Sequence, residues 1–143
     1  MTPTKTAVAI VFSCFLVAAA DAQDVTLAAA KNRGAVKLSK EDLERLLPRA
    51  AVRGESERSN RTWMHETDGT ISGTATMKAG AGRGIVKGSG TWRVTADGKY
   101  CVDIAWTRSN EKWCRTLYRL GNDLIAFKGD GDDAPVERKL VLD

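Results

Sequence analysis

Cys101 and Cys114 stand on two stretches of alternating apolar and polar residues, and a bridge between them leaves the surrounding chain little choice of fold. Tyr100, Val102, Ile104 and Trp106 alternate with Cys101, Asp103 and Ala105, the period-two pattern of a strand with one buried face. Ahead of it, Asp97-Gly98 supplies the residues that tolerate positive φ in a turn, so residues 92–94 and 100–106 are expected to form a hairpin. Turns at Arg108-Ser109-Asn110-Glu111 and Gly121-Asn122-Asp123 leave further strands at 112–120 and 124–127. If the two cysteines lie directly opposite on antiparallel strands, their β-carbons come within disulfide reach. The same register sets Val102 against Trp113, so the apolar positions agree with the bridge. The staple closes a loop of about a dozen residues, worth about 3 kcal/mol in a chain-entropy treatment.

Residues 1–22 read as a secretory signal: Lys5 precedes an apolar run over 7–20, and Ala20-Asp21-Ala22 is an A-x-A cleavage site before Gln23. That run is too short for a good membrane span, and Phe12 stands where a lipoprotein cleavage motif wants a small residue. Removing the segment takes Cys14 from the three cysteines and leaves an even pair, the expected arithmetic for one disulfide in an exported chain. Lys5 and Asp21 leave together, so the formal net charge stays at +4. The expected location is periplasmic or secreted, with no transmembrane segment in the mature chain. Behind the signal, 23–37 reads as a flexible or weakly helical arm and 38–143 as a single domain.

Within that domain the clearest helix spans 39–47. Ser39 is an N-cap with Asp42 at N3, Leu38 and Leu43 occupy the staple positions, and Pro48 ends the run. With Leu43, Leu46 and Leu47 on one face, so short a helix serves only as a plug or lid on something larger. From 49 onward the chain reads as strands at 51–57, 60–66, 70–79, 84–94 and 136–142 in addition to those already named. Seven glycines from Gly69 to Gly90 mark bends, bulges and close backbone approach. A set of about eight short antiparallel strands predicts a mainly β fold, a lipocalin-like up-and-down barrel or rolled sheet.

The sequence offers several candidate sites, most with a plainer reading. His65, the one histidine, lies near Glu66 and Asp68, but metal and hydrolytic centres need more convergent groups, so it reads as a surface strand residue. Asp130, Asp132 and Asp133 lack the closing glutamate of an EF-hand loop and read as a solvated turn. Gly80, Gly82 and Gly84 match no phosphate-binding spacing. Thr70, Ser72, Thr74 and Thr76 form a hydroxyl row of the kind β-propensity alone produces. Asn60-Arg61-Thr62 matches a glycosylation acceptor. The candidate binding residues are Trp92, Trp106, Arg108, Trp113, Arg115 and Tyr118, with Lys112 and Arg119 beside them, because interleaved basic and aromatic residues suit an anionic partner, although mixed-sign surfaces and a net charge of only +4 make an ordinary solvated face the plainer reading. Export argues against nucleic acid. No catalytic residue, metal ligand or cofactor is expected.

The order Gly90-Thr91-Trp92-Arg93-Val94, Asp97-Gly98-Lys99-Tyr100-Cys101 and Trp113-Cys114 resembles small exported proteobacterial proteins of a domain-of-unknown-function family. That resemblance implies an exported β domain and brings no activity. A looser likeness is to the periplasmic inhibitor barrels that act on lysozymes and secreted metalloproteases, of which the metalloprotease inhibitors are similar in placing a Gly-x-Trp segment before a Cys. The expected function is therefore a non-enzymatic binding domain for a small apolar ligand or an anionic envelope component. The alternative is an inhibitor of an exported hydrolase.

Overall fold

The computed structural model describes residues 25–55, 58–82 and 84–142. The expected signal segment, including Cys14, lies outside them. In chain order the elements are α1 (Leu27–Asn32), β1 (Val36–Lys37), α2 (Lys40–Leu46), β2 (Ala51–Glu55), β3 (Ser59–His65), β4 (Thr70–Met77), β5 (Ile85–Val94), β6 (Tyr100–Trp106), β7 (Ser109–Arg115), β8 (Leu117–Leu120), β9 (Asp123–Phe127) and β10 (Val136–Leu142). All ten strands belong to one antiparallel sheet, in the order β1-β8-β9-β10-β2-β3-β4-β5-β6-β7. The sheet curls strongly into a half-barrel whose ladder ends at β1 and β7. Of the two expected forms the molecule takes the rolled sheet, with ten strands and two helices among the described residues where about eight and one were expected. The single strand expected over 112–120 is divided at Thr116, where the pairing partner changes from β6 to β9. β1, only two residues long, is too short to carry a periodic signal.

The stapled meander has the register its apolar pattern requires. Cys101 is bonded to Cys114 with Cα atoms 4.0 Å apart, and Val102 stands opposite Trp113. Alternation turns Tyr100, Val102, Ile104 and Trp106 into the concave face, where they join Trp63, Trp113, Leu117, Leu124 and Leu140 in the main core. Bulky rings need room against the opposing backbone, and glycine provides it. A β-carbon at Gly88 would lie 2.4 Å from the Trp106 ring, and one at Gly73 would lie 2.8 Å from the Thr62 carbonyl oxygen.

α2 forms where the capping signals place it: Ser39 and Asp42 make a reciprocal capping box, and Leu38, Leu43 and Leu47 are buried in the main core. The helix plugs the end of the half-barrel that carries His65 and the turn at Gly98. The arm before it is not featureless. α1, capped by Thr26, docks through Leu27 and Ala30 on a second cluster with Tyr118, Ile125, Phe127 and Ala134.

Candidate functional site

Three layers follow one another along the concave face. The deepest, beneath α2, is an aromatic chain of hydrogen bonds. Trp63 Nε1 donates to the Tyr100 hydroxyl oxygen at 3.0 Å, and that hydroxyl lies 2.7 Å from His65 Nε2. His65 Nδ1 is 3.0 Å from the Leu47 carbonyl, which only accepts. Nδ1 therefore carries the proton and Nε2 receives the Tyr100 O–H. The Trp92 ring packs 4.8 Å from the imidazole, and Trp92 Nε1 donates to the Glu66 carbonyl at 2.9 Å. Burial holds His65 down at about 4 and pushes the Tyr100 phenol well above its ordinary range. His65 is thus a fully buried core residue, not the surface strand residue expected. It lies two residues beyond Trp63 on the same face of β3, and that face is buried. Glu66 and Asp68 are exposed and do not converge with it.

The middle layer is one carboxylate with four donors. Glu111 receives Trp106 Nε1 at 3.0 Å, Trp113 Nε1 at 2.8 Å, Arg138 Nη2 at 2.6 Å and Arg61 Nη1. Each guanidinium also lies over one of those indoles, Arg61 over Trp106 and Arg138 over Trp113. Arg61 Nε donates to Ser59 Oγ at 3.0 Å, whereas Arg138 Nε and Nη1 are buried with no hydrogen-bond partner among the described residues. Two guanidiniums thus face one carboxylate, and the layer holds a surplus positive charge in a partly desolvated place. A bulge between Val136 and Arg138 lets Glu137 turn to Arg115, whose Nη2 donates at 3.0 Å. This second pair also joins β7 to β10.

The outermost layer is a cavity of about 450 Å³ at the end away from α2. Ala75, Met77, Val86 and Trp106 form its apolar walls, and Arg58, Arg61 and Arg108 stand around them. Arg58 and Arg108 are exposed, and among the described residues neither meets a carboxylate. Gly82, in the turn between β4 and β5, lies at the mouth with a φ of 120°. No protein-family model, curated protein or solved structure matches this chain.

The basic and aromatic residues expected to make one surface are thereby distributed over several. Trp106 and Trp113 point inward, Trp92 is half-buried, and Tyr118 packs edge-on against Phe127 in the second cluster. Arg108 reaches the cavity, Arg115 is paired with Glu137, Lys112 is paired with Asp103 at 2.8 Å, and Arg119 is exposed opposite Val36. Strand alternation separates residues that composition grouped together. Sequence reading missed Arg58, Arg61, Glu111 and Arg138 as site residues. Glu111 was assigned to a turn, although it lies two residues before inward-facing Trp113, and Arg138 lies two before buried Leu140.

The other motifs fall outside this site. Asp130 accepts from Thr116 Oγ1 at 3.1 Å and faces Lys99, while Asp132 is paired with Lys31 at 2.8 Å. Thr70, Ser72, Thr74 and Thr76 are exposed on the convex face, as are Asn60 and Thr62. Among the described residues no group of three or more His, Cys, Asp or Glu side chains is arranged to hold a metal ion, and no helix is long and apolar enough to cross a membrane.

Proposed function

We propose that this chain is a non-enzymatic exported binding domain, periplasmic or secreted, that takes a small apolar ligand or an anionic component of the cell envelope. The observation that carries this reading is the open-ended cavity, in which Trp106, Val86 and Met77 line a concave wall beside Arg58, Arg61 and Arg108. Its volume of about 450 Å³ falls within the range of small-ligand sites, about 300 to 1,000 Å³. The disulfide fits an oxidising compartment. Native mass spectrometry of the protein purified from its own envelope tests the proposal. A bound small-molecule mass that survives gentle ionisation and leaves on denaturation is the expected result. An empty protein that instead forms a stoichiometric complex with an exported lysozyme or metalloprotease would overturn it in favour of an inhibitor.

A further inference from the structure

We infer that the ligand of the open-end cavity is a single-chain amphiphile with an acidic head, a carboxylate or a phosphate monoester, lying head outward between Arg58 and Arg108 with its chain on Trp106, Met77 and Val86. The inference rests on the binding-domain reading above and adds the polarity and orientation of the ligand.

Two independent features lead to it. The first is charge. The layer beneath the cavity already has two guanidiniums for one carboxylate, and Arg138 keeps two buried donor atoms unpartnered. Arg58 and Arg108 add two more positive charges at the rim, without an acid among the described residues. A cationic head would meet repulsion from every side, and a neutral head would leave the surplus uncompensated. The second is the division of roles among the arginines. Arg61 is fixed in the wall by Glu111 and Ser59. Arg58 and Arg108 are exposed and have no side-chain partner among the described residues; they lie at the start of β3 and in the turn before β7, and can close on a head from two sides by charge-assisted hydrogen bonds. Below them the wall is hydrocarbon and indole, which an inorganic anion leaves unfilled and an alkyl chain covers.

Titration calorimetry below the micellar concentration separates the possibilities, using dodecanoate, dodecyl phosphate, dodecanol, dodecyltrimethylammonium and inorganic phosphate as probes. The two acidic amphiphiles should bind about tenfold or more tighter than dodecanol, and the ammonium probe weakest. In the double variant Arg58→Ala, Arg108→Ala the ratio of dodecanoate to dodecanol affinity should fall toward one. Lys112→Ala, which removes a basic residue from the convex face, should keep the wild-type ratio. Equal affinity for dodecanoate and dodecanol, or a preference that survives the double substitution, overturns the acidic head while leaving the binding-domain reading in place. Inorganic phosphate binding as tightly as dodecyl phosphate overturns the amphiphile. No binding of any alkyl probe overturns both.

Discussion

The two ends of the half-barrel are made from the same kinds of residue and differ in how their polar atoms are satisfied. Beneath α2, Trp63, Tyr100, His65 and the Leu47 carbonyl pass hydrogen bonds from one to the next, and the helix excludes water from them. At the other end Trp106 faces a cavity where Arg58 and Arg108 meet no carboxylate among the described residues. A closed end of this kind stabilises the fold and leaves nothing for a partner to bind. The open end has charge and apolar surface to spare. The Glu111 layer lies between them and belongs to both, since it completes the core below and leaves positive charge facing the space above.

Substitutions should separate these roles, and the largest effects should come from the closed end. Trp63→Ala removes a side chain that is 1% exposed and also strips the Tyr100 oxygen of its donor. Chemical denaturation should show a loss of about 4 kcal/mol. Glu111→Gln, at the boundary, should cost about 3 kcal/mol, because two guanidiniums keep their burial and lose the charge that answers them. A Glu111→Leu chain should recover part of its own loss when Arg138→Met and Arg61→Met are added, because the buried charges then leave together while the Trp106 and Trp113 N–H groups still lack an acceptor, and no recovery would mean the unpaired charges are not what costs stability.

His65 supplies the next effect through pH. Its folded value of about 4 lies below the ordinary 6.5, so between these the unfolded chain binds a proton that the folded chain refuses. Its contribution is fully present above pH 6.5, falls as the pH drops, and is gone below about 4, a change of about 3 kcal/mol. Denaturation midpoints measured from pH 7 to 4 should trace that fall, and His65→Gln should flatten it. Ser39→Ala deletes one half of the capping box of α2 and should cost about 1 kcal/mol in the same assay. Smallest of all, Arg58→Ala and Arg108→Ala at the open end should each move stability by less than about 0.5 kcal/mol. A larger loss from either would show that the rim is structural and would erase the contrast between the ends.

Much of this architecture is legible in the residues. Alternation over β6 and β7, together with the cysteine pair, determines both the register and the face shared by Trp106 and Trp113. The capping box and the leucine stripe locate α2 and its role as a plug. The site was harder to read, for a physical reason. Its charged members, Arg61, Glu111 and Arg138, are 50 and 27 residues apart in the chain and meet only because the sheet curls, which period-two patterning does not encode. Charged residues on an inward face break the apolar alternation that identifies that face, so Glu111 resembled a turn and Arg138, within the strand expected over 136–142, gave no sign of facing inward. His65 was misjudged for the opposite reason: it obeys the alternation set by Trp63, and its polar character concealed that.

The reach of the Glu111 carboxylate also bears on how the molecule is assembled. The Cys101–Cys114 bridge joins neighbouring strands across a sequence separation of 13 and can form as soon as one hairpin exists. The carboxylate, by contrast, can take the two indole N–H groups within the β6–β7 hairpin but cannot collect its two guanidiniums until β3 and β10 have come round to β7 from distant parts of the chain. Contacts of such long range are late and slow to form. Glu111 therefore serves as a completion check on folding: until the sheet has curled fully, the carboxylate and the guanidiniums of Arg61 and Arg138 lack one another, and a half-made molecule goes without the ion pairs that tie its distant strands together.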